Sequence, residues 1–162
     1  MKQIFESERI SFVEVSERLI PDYLTMVNDE NDARWFGAHE PFTEQGEIAW
    51  VRETLAEKKP VFSMIEKATG DFIGNIELMD VRGADAELGV HITAAKQDKG
   101  FGTEAVAALV AHGFGQLGLR RIFLRTNPAN ARAIHVYEKC GFREYDRDEK
   151  HVYMETVQSD PT

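Results

Sequence analysis

The chain has 162 residues, of which 43% are hydrophobic and 29% charged, so it is long and apolar enough to bury a core without disulfides or metals, and we expect one domain spanning 1–162. Its 28 acidic and 19 basic residues leave a net charge of -9, which opposes binding to nucleic acids and to anionic lipid. The first residues lack the apolar core of a signal peptide, and no apolar stretch approaches the roughly 18 residues of a membrane span, so we expect a cytoplasmic protein.

The hydrophobic pattern predicts a mixed α/β fold with about seven strands and four helices. In chain order we predict a strand at 9–15, helices at 19–28 and 43–58, strands at 61–66, 72–81 and 87–92, a helix at 103–117, a strand at 121–126, a helix at 131–140, and strands at 142–146 and 151–157. Two adjacent apolar residues, Phe12 and Val13, indicate an irregularity in the first strand. Thr43 is the predicted N-cap of the second helix.

The connections between these elements predict the sheet topology. Turn-forming residues at 68–71 and 82–85 join three successive strands as antiparallel hairpins. A helix connects the fourth and fifth predicted strands, so we expect those two strands to run parallel. The sheet is therefore predicted to be mostly antiparallel with one parallel pair.

Two glycines, Gly100 and Gly102, lie where the fourth predicted strand has ended and a helix begins. Glycine lets successive N–H groups face one anion and lets the anion approach without meeting a Cβ atom. The helix N-terminus adds unpaired N–H groups and the positive end of the helix dipole. We therefore predict a diphosphate site here, assisted by the side chains of Lys99 and Thr103.

The same residues match a second pattern, because 100–105 reads Gly-x-Gly-x-x-Ala, which is typical of dinucleotide-binding domains. An NAD(P)-binding oxidoreductase is therefore an alternative. It is disfavoured because that pattern begins its domain, whereas here about ninety residues precede it and only about sixty follow. The strand after the helix also ends without an acidic residue for a ribose, although Arg125 is suited to face a 2′-phosphate.

Further motifs flank the loop on both sides. The loop Gln97-x-x-Gly100-x-Gly102 is preceded by Glu87-Leu88-Gly89-Val90-His91-Ile92 and followed by Asn130 and by Tyr137-Glu138-Lys139-Cys140-Gly141-Phe142. Together with the order of the predicted elements, these motifs resemble the GNAT superfamily of N-acetyltransferases, and within it the branch that acetylates the N-termini of ribosomal proteins. The resemblance covers nearly the whole chain. It implies a twisted sheet whose parallel pair splays apart at a cofactor cleft.

The resemblance implies that acetyl-CoA is the acetyl donor and that it binds along this loop. Backbone amides of the loop would hold the pyrophosphate, and the preceding strand would pair with the pantetheine arm. Asn130 matches the asparagine that bonds to that arm, and it is also suited to be a helix N-cap, two roles that are compatible. The implied coenzyme-binding residues are Val90, His91, Ile92, Gln97, Asp98, Lys99, Gly100, Phe101, Gly102, Thr103, Asn130 and Ala133.

Two positions depart from the pattern of that branch. The branch commonly has Trp-Ile-x-Pro where this chain has His91-Ile92-Thr93-Ala94, which alters the expected wall of the cleft. It also has a serine where this chain has Ala133, so a hydroxyl that contacts the coenzyme is missing. We expect these changes to affect coenzyme affinity or acceptor geometry.

An amine attacks a thioester only as the free base, and because a lysine-like amine has a pKa near 10.4, the site needs a proton acceptor. The resemblance implies Glu87, acting through a bridging water. A carboxylate with a pKa near 4.3 is a poor base for this proton, so Glu87 would need burial, a water relay or a purely electrostatic role. The alternative for Glu87 is a solvated strand carboxylate. His91 is a second candidate base, although its position favours packing.

The departing thiolate needs a proton, and the resemblance implies that Tyr137 supplies it as the general acid. A phenol pKa near 10 and a thiol pKa near 8.5 are close enough for efficient transfer. The alternative for Tyr137 is a core residue on a helix face shared with Ala133, Val136 and Cys140.

The resemblance places the acceptor site in the two early helices and the loop between them. The candidate pocket residues are Trp35, Phe36 and His39. Several carboxylates are suited to attract a cationic amine, namely Glu30, Asp32, Glu40, Glu44 and Glu47. The alternatives are that the aromatic pair belongs to the core and that the carboxylates form a solvated face.

These observations predict an N-acetyltransferase that moves acetyl from acetyl-CoA to a primary amine, either a protein N-terminal amine or a small amine such as a polyamine. The amine would attack directly in a ternary complex. We expect no metal cofactor and no nucleic-acid or membrane partner, and a homodimer is compatible with the family but marked by no sequence feature. A non-catalytic acetyl-CoA sensor of the same fold is the alternative from another functional class.

Overall fold

A computed structural model of the chain describes residues 1–30 and 39–158. The strands in these residues are β1 Gln3–Glu6, β2 Ile10–Glu14, β3 Val61–Glu66, β4 Phe72–Arg82, β5 Asp85–Ile92, β6 Arg121–Thr126, β7 Arg143–Arg147 and β8 Val152–Val157. The helices are α1 Ile20–Val27, α2 Glu44–Ala56, α3 Phe101–Gly115 and α4 Ala131–Lys139, with 3₁₀ turns at Glu17–Leu19 and Ala94–Lys96. None of the helices in the described residues is long and apolar enough to cross a membrane.

The predicted mixed α/β fold is confirmed, with one strand more than expected. The eight strands form one sheet in the order β1-β2-β3-β4-β5-β6-β8-β7. The pair β5–β6, which corresponds to the fourth and fifth predicted strands, runs parallel as expected. The additional strand β1 pairs antiparallel with β2, and its register shifts opposite Phe12 and Val13, where the sequence indicated an irregularity.

The chain packs as two compact units, one made of Met1–Glu77 and Val90–Phe101, the other of Leu78–Gly89 and Gly102–Thr162. Within the part of the chain that the structure describes, each unit has buried residues of its own. The expectation that 1–162 forms one domain stays a prediction.

The core of the first unit packs α1 and α2 with strand residues. Its buried cluster consists of Val15, Leu19, Ile20, Tyr23, Met26, Val51, Val61 and Phe72. The Thr43 hydroxyl accepts a hydrogen bond from the Gly46 N–H at 3.1 Å, which confirms Thr43 as the N-cap of α2. The buried Tyr23 hydroxyl lies 2.6 Å from Ser63 Oγ, so this phenol is anchored within the core.

The core of the second unit packs α3 against β6. Ile122 and Leu124 of β6 are fully buried, as are Val106 and Leu109 of α3. Strand β6 pairs with β8 over its whole length, from Arg121↔Val157 to Thr126↔Val152. Its parallel ladder with β5 runs from Asp85↔Arg121 to Glu87↔Phe123. This ladder sets the position of Glu87 on β5.

Candidate active site

The predicted diphosphate loop lies between the end of β5 and the start of α3. Asp98 and Gly100 have φ angles of 61° and 82°, in the left-handed region. Left-handed residues in a short loop turn successive N–H groups toward one side, and the first N–H groups of α3 have no acceptor within the helix. Asp98, Lys99 and Gly100 are exposed. The segment therefore offers backbone donors to an anion, as the glycine spacing indicates.

Gln97 ties this loop to the end of β5. Its Nε2 atom donates to the Ile92 carbonyl oxygen at 3.0 Å, so the Gln97 side chain links the loop to the last residue of β5. The backbone at His91 lies directly against Gly74 of β4, where a Cβ atom would collide with the His91 carbonyl oxygen. The end of β5, which carries the predicted pantetheine contacts, is thus held at a close backbone approach.

Lys96 anchors the turn before the loop, and sequence reasoning did not single it out. Its Nζ atom lies 2.8 Å from Glu66 Oε1 and 2.9 Å from Asp71 Oδ2. The hydrogen bonds to Lys96 lower the pKa of both carboxyl groups, and the pKa of Lys96 is raised in turn, because each contact favours the charged form. No local spacing signal marks this cluster, since Lys96 lies 30 residues from Glu66 and 25 from Asp71.

Arg9, just before β2, contacts the loop directly and was also missed from the sequence. Its Nη1 atom donates to the Lys99 carbonyl oxygen at 3.0 Å. Its guanidinium carbon lies 4.2 Å from the centroid of the buried Phe101 ring. The hydrogen bond joins residues 90 positions apart, so no motif within a short window reveals it.

In the second unit, α4 packs on the first turn of α3. The Cys140 thiol donates to the Thr103 carbonyl oxygen at 3.4 Å. A Cβ atom on Gly102 would lie 3.9 Å from Val136 Cγ1. Burial raises the pKa of Cys140, so its thiol stays protonated and serves packing. The helix that carries Tyr137 is therefore fixed against two of the predicted coenzyme-binding residues.

Asn130 has the predicted capping role. Its Oδ1 atom accepts a hydrogen bond from the Ala133 N–H at 3.2 Å, at the N-terminus of α4. The contacts of Asn130 and Ala133 with a coenzyme stay predictions. The cap confirms one of the two compatible roles that the sequence suggested for Asn130.

Tyr137 lies on α4 with its side chain almost fully buried, at 8% exposure. Its ring packs against Phe142 with 5.9 Å between centroids. Within the part of the chain that the structure describes, its hydroxyl has no hydrogen-bond partner. Burial raises the pKa of Tyr137 to about 12, so the phenol stays protonated at physiological pH. A buried hydroxyl without a partner costs about 1–3 kcal/mol, and such a group calls for an explanation.

Glu87 is buried on β5, at 9% exposure, and therefore differs from the solvated strand carboxylate that was its alternative. Its Oε2 atom lies 3.3 Å from Arg125 Nε on β6. The pair is consistent with the ladder, which places Glu87 opposite Phe123 and so brings Arg125 within diagonal reach. Under the dinucleotide-binding alternative, Arg125 would face a ribose 2′-phosphate. In the structure its side chain forms an ion pair with Glu87 instead.

The predicted aromatic acceptor residues Trp35 and Phe36 lie outside the described residues, as does Asp32. His39 is exposed, with Nδ1 2.8 Å from the Glu40 carbonyl oxygen and its ring 4.7 Å from the Phe42 ring. The structure therefore describes His39 alone among the three candidate pocket residues.

The carboxylates named for the acceptor site separate into two groups. Glu30, Glu40 and Glu44 are exposed, as the solvated-face alternative expects. Glu47 on α2 is buried, at 7% exposure, and its carboxylate has no ion-pair partner among residues 1–30 and 39–158. Burial raises the pKa of Glu47, because removal from water disfavours the charged form. In the same described ranges, no group of three His, Cys, Asp or Glu side chains is arranged to hold a metal.

The family model for the acetyltransferase (GNAT) domain matches residues 9–143. The chain belongs to the GNAT family. It is 32% identical over 83 residues to spermidine N(1)-acetyltransferase from Vibrio cholerae, a match that covers 50% of this chain and 48% of that relative. The chain thus spans about half the length of this curated relative.

Solved structures share the fold of this GNAT chain at low identity. Spermidine N-acetyltransferase from Vibrio cholerae, in complex with CoA and spermine, matches with a TM-score of 0.83 and 20% identity over 94% of this chain and 97% of the other. A Vibrio cholerae protein assigned as a ribosomal-protein-serine acetyltransferase matches with a TM-score of 0.79 and 17% identity over 98% and 100%. At these identities the matches show the fold.

The residues of this GNAT chain fit a coenzyme with a diphosphate. The loop at 97–100 and the N-terminus of α3 offer N–H donors, and the exposed cationic side chain of Lys99 lies in the same loop. The mostly antiparallel sheet differs from the parallel sheet of a dinucleotide-binding domain. The buried Tyr137 hydroxyl, which has no hydrogen-bond partner in the described part of the chain, further suits a site that is completed by a ligand.

Proposed function

We propose that this chain transfers the acetyl group of acetyl-CoA to a primary amine by direct attack of the amine on the thioester, in a ternary complex without a covalent enzyme intermediate. Family membership supports the reaction class. The observation that carries the proposal is the buried Tyr137 hydroxyl, which has no partner in the described residues and lies on the helix packed against the first turn of α3. A protonated, desolvated hydroxyl without a protein partner is suited to donate to a bound group.

The coenzyme supplies the activated acyl group, and the chain binds and orients it. The backbone amides of 97–103 bind the pyrophosphate, and Val90, His91 and Ile92 pair with the pantetheine arm. Asn130 bonds to the same arm while it caps α4. The exposed loop residues and the anchored β5 end support this assignment.

The reaction forms a C–N bond, breaks the C–S bond, and moves one proton away from the amine and one to the sulfur. Glu87 accepts the amine proton through a water molecule, and Tyr137 donates its proton to the sulfur. Burial of Glu87 and its pairing with Arg125 support a fixed carboxylate at this position. The proton on Glu87 then replaces the one that Tyr137 gave up, and the proton that the cationic amine loses before attack passes to solvent, so both side chains return to their starting states.

The raised pKa of Tyr137 makes proton transfer to the sulfur less favourable than the sequence predicted. An ordinary phenol was expected, whereas burial raises the pKa to about 12. Transfer to a thiolate with a pKa near 8.5 then costs about 5 kcal/mol at equilibrium. Desolvation raises the pKa of a thiol as well, so a sulfur bound beside Tyr137 takes the proton more readily than a thiolate in water.

The acceptor that fits best is a small polycationic amine such as spermidine. The relatives named for spermidine support this choice, as does the net charge of -9. The buried Glu47 carboxylate, which has no ion-pair partner among residues 1–30 and 39–158, supports it further, because a cationic ligand would compensate its charge. A protein N-terminal amine is the second acceptor class.

The test is release of free thiol from acetyl-CoA against a panel of polyamines, N-terminal peptides, amino acids and aminoglycosides. We expect release with polyamines above the background without amine. Release with N-terminal peptides alone would contradict the polyamine assignment and keep the acetyltransferase. Coenzyme binding without release across the panel would overturn the catalytic proposal in favour of the sensor.

A further inference from the structure

The hydrogen bond from Arg9 is made to one peptide of the diphosphate loop, the peptide between Lys99 and Gly100. The carbonyl oxygen of this peptide accepts from Arg9 Nη1 at 3.0 Å. In a trans peptide the C=O and N–H groups point in opposite directions. The contact therefore fixes the direction of the Gly100 N–H, which points away from the guanidinium.

The guanidinium is itself held in place by the next residue of the same segment. It lies 4.2 Å over the ring of Phe101, which is buried and begins α3. A Cβ atom on Gly100 would lie 3.3 Å from Arg9 Nη2, so the guanidinium lies directly beside the Gly100 backbone. Arg9 thus occupies one side of the loop, on the carbonyl side of the Lys99–Gly100 peptide.

Orientation of this peptide matters for an anion. A carbonyl oxygen that faced a diphosphate would repel it, whereas an N–H group that faces it forms a charge-assisted hydrogen bond. Gly100 has a φ of 82°, a conformation that glycine adopts readily, so the peptide can rotate unless something holds it. Arg9 supplies that restraint from a distant part of the chain.

We propose that Arg9 is a positioning residue for the pyrophosphate of acetyl-CoA, because it holds the Lys99 carbonyl oxygen on one side of the loop and so directs the Gly100 N–H to the side where the diphosphate binds. The inference rests on the proposed function. This role of Arg9 differs from general support of the fold, because only the binding of ligands that carry the diphosphate depends on Arg9.

The experiment compares two acetyl donors, acetyl-CoA and acetyl-pantetheine, which has the same thioester arm but no pyrophosphate. The variants are Arg9→Met, which has neither the charge nor the donor, and Arg9→Lys, which keeps the charge without the planar stacked donor. Arg147→Met is the matched control, since it removes one exposed arginine, paired with Glu144 at 2.7 Å. For each protein the Kd of acetyl-CoA, the rate with both donors and the melting temperature are measured.

We expect Arg9→Met to raise the Kd of acetyl-CoA about tenfold, as for loss of a hydrogen bond from a charged group, and to leave the rate with acetyl-pantetheine unchanged. Arg9→Lys is expected to weaken acetyl-CoA binding as well, and if Arg9→Met does not fold, Arg9→Lys carries the comparison. Arg147→Met is expected to match the wild-type protein with both donors.

An unchanged Kd in Arg9→Met overturns the inference, as does an equal loss of rate with both donors. Wild-type affinity in Arg9→Lys also overturns it, because charge alone would then be sufficient. A wild-type protein that binds no acetyl-CoA overturns the proposed function and this inference with it, whereas the other outcomes act on the inference alone.

Discussion

Two polar side chains of this molecule, those of Tyr137 and Glu47, are buried without a full set of partners in the described residues. Tyr137 and Glu47 are both nearly inaccessible to water, and neither has a polar side-chain partner in the described ranges. Folding alone does not favour such groups, because each loses its hydration without compensation. Glu87, by contrast, is buried but paired with Arg125. Substitutions of Tyr137 and Glu47 therefore give more direct tests of function than a substitution of Glu87.

Tyr137→Phe removes the hydroxyl and keeps the ring that packs on Phe142. We expect turnover to fall by about a hundredfold or more, as for loss of a general acid, while the Kd of acetyl-CoA stays the same. The free energy of unfolding is expected to stay unchanged or to rise, because the hydroxyl has no hydrogen-bond partner to lose among the described residues. Steady-state kinetics and chemical denaturation measure these two effects.

The matched control is Tyr153→Phe, which removes a hydroxyl that donates to Asp148 at 2.9 Å. We expect this variant to keep full turnover. Undiminished turnover in Tyr137→Phe would leave Tyr137 as a core residue and remove it from the mechanism.

Glu47→Gln replaces the buried carboxylate by a neutral group of the same size. Burial raises the pKa of Glu47 above its usual value of 4.5, so its contribution to stability is fully present below pH 4.5 and is lost as pH rises through the raised pKa. We therefore expect Glu47→Gln to be more stable than wild type at pH 7 and equal to it at pH 4. Denaturant titrations at the two pH values measure the difference.

The same variant tests acceptor recognition. If Glu47 is the counter-ion of a cationic amine, Glu47→Gln raises the KM of the amine about tenfold and leaves the Kd of acetyl-CoA unchanged. Glu44→Gln, which changes an exposed carboxylate on the same helix, is the control. A loss of stability at pH 7 in Glu47→Gln would show that the carboxylate already has a partner in the protein.

At the scale of elements, close backbone approach holds the end of β5 in place. Gly74 of β4 leaves no room for a side chain against His91 and Ile92. Gln97 bonds to the Ile92 carbonyl oxygen from the other side of the turn. The segment that is predicted to pair with the pantetheine arm is therefore positioned by its neighbours in the sheet and by the loop that follows it.

Gly74→Ala tests this arrangement. The added methyl group would overlap the His91 carbonyl oxygen, so the end of β5 must move. We expect a loss of about 1–3 kcal/mol in the free energy of unfolding, as for overpacking, together with a raised Kd for acetyl-CoA. Calorimetry of unfolding and of coenzyme binding measures both.

Gly115→Ala at the end of α3 is the matched control, because a Cβ atom there meets nothing within 4 Å. Its stability is expected to stay within about 1 kcal/mol of wild type. Equal stability of Gly74→Ala and Gly115→Ala would contradict the close approach at β5.

The predicted elements and the structure differ where packing outweighs local preference. α3 begins at Phe101 although Gly102 is a poor helix former, because the Phe101 side chain is buried. β1 was not predicted, since Gln3–Glu6 is short and mostly exposed and its pairing with β2 is non-local. In contrast, 61–66 and 121–126 match β3 and β6, in which the first four residues of β3 and two apolar residues of β6 are buried.

For the molecule as a whole, an ion-pair network gives the clearest pH dependence of stability. Lys96 lowers the pKa of Glu66 and Asp71 below their usual values of 4.5 and 3.8. A lowered carboxyl pKa contributes stability that is present above the unfolded pKa and is lost as pH falls through the folded pKa. The network therefore stabilises the protein at neutral pH and weakens in acid.

Lys96→Met should lower the free energy of unfolding at pH 7, and the difference from wild type should shrink below pH 4.5, as Glu66 and Asp71 are protonated. Lys2→Met, which changes an exposed lysine, is expected to show no such trend. Denaturant titrations between pH 3 and pH 7 measure the difference. A difference that stays constant over this range would show that Lys96 acts through packing alone.

Sequence by itself determined the family-level properties of this protein. Three features could be predicted from the sequence: the glycines of the predicted diphosphate loop, the capping residues Thr43 and Asn130, and the helix between two parallel strands. Backbone conformation, capping and connectivity depend on neighbours in the chain. The resemblance carried by the motifs around 87–142 then led to the GNAT family, which the match over 9–143 confirms.

Only the tertiary structure showed which polar groups form pairs and which are buried without a partner among the described residues. Arg9 reaches Lys99 across 90 residues, and Glu87 pairs with Arg125 across a parallel ladder. Glu47 is buried, whereas Glu30, Glu40 and Glu44, which the sequence named with it, are exposed. The Tyr137 hydroxyl is buried and has no hydrogen-bond partner among residues 1–30 and 39–158. Contacts, burial and the resulting pKa values are non-local, and no pattern within a short stretch of sequence encodes them.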